Sequence, residues 1–250
     1  MITRKYKTAD KVVEINSIYD EVQEYCSEYL TDDQADYTVT ATQADIDYER
    51  KKSAREDEIE GIPVRRFSDG YLEELAVYRK IAEKMIDFDT VLFHGSVIAV
   101  DGAGYLFTAK SGTGKSTHTR LWRAYFGDRA VMVNDDKPLL HIAESGVIAY
   151  GTPYNGKHRL GSNISVPLKA ICILTRAADN HIEPITREQA YTMLLQQVYR
   201  PAGMLKMAKT LELVDRLADS VKLCQLGCNM DILRNDSKCG TADGDRRLPK

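Results

Sequence analysis

The sequence predicts an α/β fold, a mixed twisted sheet with flanking helices, and three observations indicate it. Short apolar or alternating runs follow one another between turn signals from Thr90 onward, namely "VLFHGSVIAV", "YLFTA", "AVMVND", "VIAYG" and "LKAICILTR". Helix-length segments with apolar residues every three or four positions precede and follow these runs. A glycine-rich loop joins one strand to one helix, an arrangement typical of α/β proteins.

Residues 1–67 are expected to form a smaller α/β portion that docks on this core. "KVVEI" and "YTVTAT" predict strands. Between them Ser17 is expected to cap a helix, with Asp20 at capping-box spacing. The apolar residues of that helix are Ile18, Val22, Tyr25 and Tyr29. The run "YERKKSAREDEIE" mixes both signs of charge densely, which is typical of a solvated helix face or a mobile connector.

Three further helices are expected. The first begins at Ser68, and its apolar stripe is interpreted as core: Tyr71, Leu75, Tyr78, Ala82 and Met85. The second opens at Thr186 with Gln189 and is stopped by Pro201. The third begins near Gly203 and has one apolar face, made of Met207, Leu211, Val214 and Ala218. "VKLCQL" predicts a strand that returns to the sheet, and residues 235–250 are too polar to fold and are expected to be disordered.

The stretch "AKSGTGKST" matches the phosphate-loop pattern G-x-x-x-x-G-K-[ST], except that Ala109 replaces the first glycine. Gly112 and Gly114 let backbone N–H groups approach phosphate oxygens, Lys115 neutralises phosphate charge, and Ser116 is a ligand for Mg²⁺. A strand precedes the loop and a helix-length segment follows it, so the anion would lie at a helix N-terminus. The expected nucleotide-binding residues are Ser111, Gly112, Thr113, Gly114, Lys115, Ser116 and Thr117. The alternative is a purely structural turn.

Two neighbouring aspartates, Asp135 and Asp136, follow the apolar run "AVMVN". Because adjacent side chains of an extended backbone point to opposite sides, one carboxylate is expected to hold Mg²⁺ and the other to face the attacking hydroxyl. The sequence leaves open which does which, and the alternative is an Asp-rich turn. The expected metal ligands are Ser116, Asp135 and Asp136.

Other polar residues are weaker candidates. His94 ends a strand and is expected beside the phosphates, as a metal ligand or polar partner, or else as a satisfied core histidine. His118 either leans toward the nucleotide or lies on an exposed helix surface. The loop "GTPYNGKHR" offers Lys157 and Arg159 to bind the transferred phosphoryl group or an anionic acceptor, and a plain basic loop is equally compatible.

Composition excludes several classes of protein. The 34 basic and 37 acidic side chains give a net charge of -3 without a basic block, so nucleic acid is not an expected partner. No apolar run is long enough for a membrane helix and the amino terminus is too polar for a signal peptide, so a cytoplasmic location is expected. Five scattered cysteines argue against a disulfide framework, and Cys224 and Cys228 are interpreted as thiols, not zinc ligands.

The segments "FHGSVIAVDGAGYLFTAKSGTGKST" and "VNDDKP" together resemble the kinase domain of HPr kinase/phosphorylase, a member of the phosphoenolpyruvate carboxykinase-like class of P-loop enzymes. The resemblance covers residues 90–140 well and continues more loosely to about residue 230. It implies the twisted sheet of that class, a P-loop kinase domain over residues 68–234, and ATP with Mg²⁺ as ligands. The active-site positions that it implies are His94, Lys115, Ser116, Asp135 and Asp136.

The chain is also similar to small HPr-kinase-related enzymes that phosphorylate serine in ribosomally made peptides. The matching residues belong to a "GTP-x-x-GK" loop: Gly151, Thr152, Pro153, Gly156 and Lys157. The expected activity is therefore ATP-dependent transfer of the γ-phosphoryl group to a hydroxyl, most plausibly of serine or threonine in a peptide or small protein. A kinase for a free metabolite and a non-catalytic nucleotide sensor are the alternatives, and an oligomer is compatible with the sequence.

Overall fold

The computed structural model describes residues 1–110, 112–156 and 158–229. The strands are β1 (Ile2–Thr8), β2 (Lys11–Ser17), β3 (Tyr37–Thr40), β4 (Thr90–Leu92), β5 (Ser96–Val100), β6 (Ala103–Thr108), β7 (Ala130–Asn134), β8 (Leu139–Ala143), β9 (Gly146–Tyr150), β10 (Ser165–Arg176), β11 (His181–Pro184) and β12 (Lys222–Cys228). The helices are α1 (Glu21–Tyr25), α2 (Gln43–Glu60), α3 (Asp69–Met85), α4 (Lys115–Phe126), α5 (Arg187–Gln197) and α6 (Met204–Ser220).

A large mixed sheet is the framework of the molecule. Its main path runs β4-β8-β9-β10-β6-β5-β7, and β12 pairs with β10 and carries β11 on its other side. β10 is parallel to β6 and β12, whereas the other neighbours are antiparallel. The sheet curls because β10 pairs with β9 through its first residues and with β6 and β12 through its later ones. The prediction of a mixed α/β fold is confirmed.

Helices cover both faces of this sheet. α5 and α6 pack on one face, where Leu194, Leu213 and Leu217 are fully buried against strand residues such as Leu106. α4 packs on the other face, where Trp122 contacts Phe107 in an edge-on arrangement. The phosphate loop, which begins α4, is thereby fixed to the end of β6.

The amino-terminal residues form a second sheet of order β1-β2-β3, in which β1 and β2 are antiparallel and β2 and β3 parallel. Its apolar side shares one core with α3 and the β8–β9 hairpin. In that core Tyr6 and Ile15 of the small sheet pack together with Tyr78, Leu139 and Tyr154. The small sheet therefore supports α1 and α3, which form one wall of the site described below.

The prediction of a helix capped by Ser17 is wrong in its start and its cap. Ser17 ends β2, and its hydroxyl donates to the Tyr19 carbonyl 3.0 Å away. The carboxylate of Glu73 on α3 accepts the N–H groups of Ile18 and Tyr19 at 2.6 and 2.8 Å, so these two residues do not begin a helix. The helix starts only at Glu21, because this contact between distant segments outweighs local capping.

The stripe predicted as the core of α3 is correct only in its later part. Tyr78, Ala82 and Met85 are buried, but Tyr71 is 41% exposed and Leu75 is part-buried. The buried face at the start of α3 is formed instead by Leu72, Ala76 and the hydrogen-bonded Glu73, together with Gly70 and Val77. Tyr71 and Leu75 face a cleft, which apolar spacing alone does not distinguish from a core.

The remaining elements agree with expectation in outline. Thr186 and Gln189 form the predicted capping box of α5, but the helix ends at Gln197, before Pro201, because Val198 bridges to Phe93. α6 buries Val214 and Ala218 as predicted, while Met207 and Leu211 are part-buried. The run "YERKKSAREDEIE" lies in α2, whose capping box starts at Thr42. β12 is the predicted returning strand, whereas β1, β8 and β11 were not predicted. Residues 235–250 lie outside the described residues.

None of the described helices is both long enough and apolar enough to span a bilayer.

Candidate functional site

An open cleft of about 820 Å³ lies where the phosphate loop, the residues after β7 and the residues after β9 meet. One wall carries Gly112, Gly114, Lys115, Ser116 and Thr117 from the loop and the first turn of α4. The floor carries His94, Asp135, Asp136 and Lys137. The opposite wall is formed by α1, α3 and the loop that follows β9. The structure thus brings most of the predicted site residues together in one place.

The phosphate loop has the backbone that its glycines predict. Gly112 has φ 75° and Gly114 has φ 115°, a region that side chains with a Cβ rarely adopt. The loop delivers the chain into α4, so the N–H groups of the first turn of a 12-residue helix lie at the cleft. Ala109 is fully buried and is not among the residues with positive φ, which explains why alanine fits where the motif has glycine.

Lys115 extends along the loop, and its Nζ lies 3.4 Å from the carbonyl oxygen of Ala109. Burial lowers the pKa of its ammonium group, while the charge of Asp136 counteracts the shift. A partly desolvated cation next to a helix N-terminus attracts an anion more strongly than a solvated one does.

The aspartate turn is held by Asn134, the last residue of β7. Its side chain is fully buried, and its Oδ1 accepts the N–H groups of Asp136 and Lys137 at 2.9 and 2.6 Å. Its Nδ2 donates to the hydroxyl of Thr152 at 3.0 Å, and that hydroxyl in turn donates to the carbonyl of Lys137. Asn134 therefore ties the aspartate turn to the start of the loop after β9.

The "HGS" segment supports the same turn from the other side. Gly95 N–H donates to the carbonyl of Asp136 at 2.9 Å, and the hydroxyl of Ser96 donates to the carbonyl of Asp135 at 2.8 Å. His94 Nε2 lies 3.3 Å from Asp136 Oδ1. These three consecutive residues each contact the aspartate pair, which gives a structural reason for their order in the chain.

The two carboxylates have different surroundings, although they lie in a bend after β7 and not on the extended backbone that the sequence prediction assumed. Burial alone would raise the pKa of Asp136, but the hydrogen bond from His94 and the charges of Lys137 and Lys115 outweigh it and hold this pKa below its usual value. Asp135 instead accepts the N–H of Gly156 at 2.6 Å. Asp136 is thus directed toward the lysines and Asp135 toward the loop after β9.

The loop after β9 folds back against the sheet at Gly151 and Ser162. Gly151 N–H donates to Ile164 and Ser162 N–H donates to Val133. A Cβ at Gly151 would collide with the carbonyl oxygens of Ser162 and Val133, so only glycine allows this close approach. The glycine of the "GTP" segment is therefore explained by packing.

The remaining predicted site residues are Arg159, Thr113, Ser111 and Lys157. Arg159 lines the cleft, and its guanidinium lies 4.7 Å from the ring centroid of Tyr25. Thr113 lies in the phosphate loop, but its hydroxyl donates a hydrogen bond to the carbonyl of Lys110. Ser111 and Lys157 lie outside the described residues.

Both interpretations of His118 are wrong. Its side chain is only 3% exposed and packs edge-on against Phe107, with ring centroids 4.5 Å apart. Burial lowers the pKa of this imidazole to about 4, so it is neutral at pH 7. His118 is buried because its position on α4 faces Phe107 of β6. The sequence could not predict this tertiary contact from a single histidine in a helix.

Sequence reasoning missed three residues at the site. An asparagine directly before two aspartates is a recognised turn former, and that signal points to Asn134. Glu74 and Arg176 give none, because both reach the site only through tertiary structure. Arg176 Nη2 donates to the carbonyl of Gly112 at 2.7 Å and so contacts the phosphate loop from the end of β10.

Glu74 provides a pH-dependent prediction. Burial raises the pKa of its carboxyl to about 7, with Glu21 adding to the shift and Arg159 opposing it. Between pH 4.5 and 7 the folded chain then binds more protons than the unfolded chain, so this group's contribution to stability falls as pH rises. Glu74→Gln removes that cost. The free energy of unfolding of the variant, relative to that of wild type, should therefore rise by about 1 kcal/mol from pH 5 to pH 8, a figure that allows for solvent screening.

Urea unfolding at the two pH values measures this gain. Glu58→Gln, an exposed position on α2, is the matched control and should show none. An equal response of the two variants would show that the carboxyl of Glu74 titrates normally.

Comparisons with known proteins supplement this geometry. The solved structure of the HPr(Ser) kinase/phosphatase from Coxiella burnetii is similar over 50% of this chain and 90% of its own, with 16% identity and a TM-score of 0.25, and at that score the likeness carries no argument. Comparison with curated proteins gives no match. The family model described as SynChlorMet cassette protein ScmC matches residues 72–225, which span α3 to β12 and every element that lines the floor of the cleft. The chain belongs to the SynChlorMet cassette protein ScmC family.

Proposed function

We propose that the protein is an ATP-dependent kinase that transfers the γ-phosphoryl group to the hydroxyl of a serine or threonine in a peptide or small protein. The observation that carries the proposal is the meeting of a phosphate loop and an aspartate pair in one cleft. Phosphoryl transfer needs fixed positive charge at the phosphates and a carboxylate near the attacking hydroxyl, and the phosphate-loop wall and the aspartate floor carry such groups.

The residues present fit ATP with Mg²⁺. Lys115 and the N–H groups that begin α4 suit phosphate oxygens, while the hydroxyl of Ser116 and the carboxylate of Asp136 are hard oxygen ligands. Across the described residues no group of three or more histidines, cysteines, aspartates or glutamates is placed to hold a metal. Mg²⁺ bound with a nucleotide needs only one or two carboxylates, since phosphates and water complete its shell. Mg²⁺ bound with the nucleotide would neutralise phosphate charge.

The two aspartates are assigned different roles. A carboxyl with a lowered pKa is a weak proton acceptor but a good cation ligand, which favours Asp136 as the metal-holding residue. Asp135 then accepts the proton of the attacking hydroxyl, with one oxygen fixed by Gly156 N–H. His94 orients Asp136 through its Nε2. Lys157 and Arg159 steady the transferred group.

The experiment is transfer of label from γ-labelled ATP with Mg²⁺. Because the family is described as a cassette protein, the other proteins of that cassette are the first acceptors to test, followed by size-fractionated cell extract. Wild type should label serine or threonine in a peptide or protein fraction. Asp135→Asn and Asp136→Asn should not, whereas Asp128→Asn, an exposed control beyond α4, should behave as wild type.

Other outcomes separate the alternatives. Label in the small-molecule fraction would identify a metabolite kinase. ATP binding by all variants without any transfer would identify a nucleotide sensor and contradict the proposed activity.

Arg176 should affect nucleotide affinity. Arg176→Met removes the hydrogen bond to the Gly112 carbonyl and leaves the loop less constrained. Because the contact is exposed, we expect a loss of about 1 kcal/mol, roughly fivefold in the dissociation constant for Mg·ATP. Titration with a fluorescent ATP analogue measures it, and Arg55→Met on α2 is the control. If Arg176→Met lost no more affinity for Mg·ATP than Arg55→Met does, the contact between Arg176 and Gly112 would not order the loop.

A further inference from the structure

The wall of the cleft opposite the phosphate loop has a different chemistry. Tyr71, Glu74 and Leu75 occupy positions i, i+3 and i+4 of α3, so they form one face of that helix, and all three line the cleft. Tyr25 of α1 and Arg159 of the loop after β9 complete the wall. The carboxylate of Glu74 repels phosphate oxygens and the side chain of Leu75 offers them no hydrogen bond, so this face of α3 is unsuited to the phosphates of the nucleotide, although Arg159 in the same wall does suit an anion.

Glu74 is the unusual member of this group. It is part-buried in the cleft, and within the described chain no side chain or backbone group is hydrogen-bonded or ion-paired to its carboxylate. The neighbouring carboxylate of Glu21 packs against Gly70 at the start of the same helix. A part-buried carboxylate without a partner is costly, and a ligand that donates hydrogen bonds to it removes that cost.

The chain itself indicates which ligand this wall accepts. The guanidinium of Arg159 lies 4.7 Å from the ring centroid of Tyr25, and Arg159 has φ 47°, a conformation that a non-glycine residue adopts only at a cost. The ring of Tyr71 packs against Phe67, with ring centroids 5.1 Å apart, but 41% of Tyr71 is still exposed to the cleft side. Arg159 lies over Tyr25, and among the described residues no ion pair joins it to Glu74, so the carboxylate of Glu74 is available to a cation that a ligand brings.

We propose that this wall is the acceptor subsite, and that it binds a lysine or arginine side chain of a peptide acceptor, with Glu74 as its counter-ion and Tyr71 as the ring on which it lies. The inference rests on the proposed kinase function, because it names the substrate class of the same site. A cleft of about 820 Å³ is near the upper end of the range for ligand pockets, which leaves space for an acceptor beside the nucleotide.

Serine-containing peptides from a positional library test this proposal in two separate assays. The first measures binding of the full chain, with Mg·ATP present, to peptides that carry lysine or arginine at one position and to matched peptides with glutamine there. Wild type should prefer the basic peptides on the order of tenfold, the effect of one partly desolvated cation contact. Glu74→Gln should lose this preference, Glu74→Asp should keep part of it, and Glu58→Gln should keep all of it.

Equal binding of basic and neutral peptides by wild type would overturn the proposal, as would a preference that persists in Glu74→Gln or the absence of peptide binding. The second assay follows γ-label transfer into the same peptides. A preference in binding that depends on Glu74, without label transfer to any peptide, would support the subsite and contradict the kinase function. Label transfer to the peptides without any preference for basic ones in binding would support the kinase function and contradict the subsite.

Discussion

Lys115→Met should lower phosphoryl transfer by about 10²–10³-fold, the loss seen when one fixed group that stabilises transition-state charge is removed. The ammonium group of Lys115 is the cation of the phosphate loop that lines the cleft, and methionine has nearly its length without its charge. Burial lowers the pKa of Lys115, which means that the folded chain pays to keep it charged. Methionine should therefore leave stability unchanged or slightly higher.

Single-turnover transfer from γ-labelled ATP, together with urea unfolding, measures both parts of this prediction. Lys110→Met is the matched control, because Lys110 lies in the same loop but is exposed and does not line the cleft. An equal loss in both variants would point to disruption of the loop, and unchanged transfer in Lys115→Met would contradict the role given to its charge.

The phosphate loop could be predicted because its signal is local. The spacing of Gly112, Gly114 and Lys115 specifies both backbone and chemistry within a few residues, and the strand before it and the helix after it are where the sequence predicts them. The strands β5, β6, β7 and β10 were predictable for the same reason, since a buried sheet needs short apolar runs between turns.

The contacts that position the site residues could not be predicted, because they join distant segments. Nothing in the "HGS" segment shows that Gly95 and Ser96 bind the carbonyls of the aspartate pair some 40 residues later. Glu73 is fully buried although it is charged, because it binds two N–H groups more than 50 residues earlier. Apolar periodicity ignores such polar contacts, which is why Tyr71 was assigned to the core and Glu74 was not noticed.

The second large effect is expected at Asn134, whose side chain ties the aspartate turn to the start of the loop after β9. Asn134→Ala deletes the hydrogen bonds to the part-buried N–H groups of Asp136 and Lys137, which lose their acceptor, and the hydrogen bond to the hydroxyl of the fully buried Thr152. An unsatisfied buried group costs about 1–3 kcal/mol. Allowing for partial relaxation, we expect the free energy of unfolding to fall by about 3 kcal/mol.

Activity should fall as well, for a reason that separates Asn134 from an ordinary core residue. The turn carries Asp135 and Asp136 into the cleft, and a displacement of about 1 Å at a reacting group costs on the order of 10²-fold in rate. Among the described residues the side chain of Asn134 makes its hydrogen bonds to the aspartate turn and to the loop after β9, not to β6 or α4, so affinity for ATP measured without Mg²⁺ should stay within about threefold. Transfer and nucleotide binding should thus separate in this variant.

Asn163→Ala is the control, since Asn163 is an exposed asparagine near the same loop, and within the described residues its side chain donates to the carbonyl of Glu28. It should cost less than about 0.5 kcal/mol and leave transfer intact. Urea unfolding, single-turnover transfer and ATP titration on both variants give the comparison. If Asn134→Ala lost ATP affinity and transfer in equal measure, the turn and the phosphate loop would form one cooperative unit, and the division of the cleft into a nucleotide wall and an aspartate floor would be wrong.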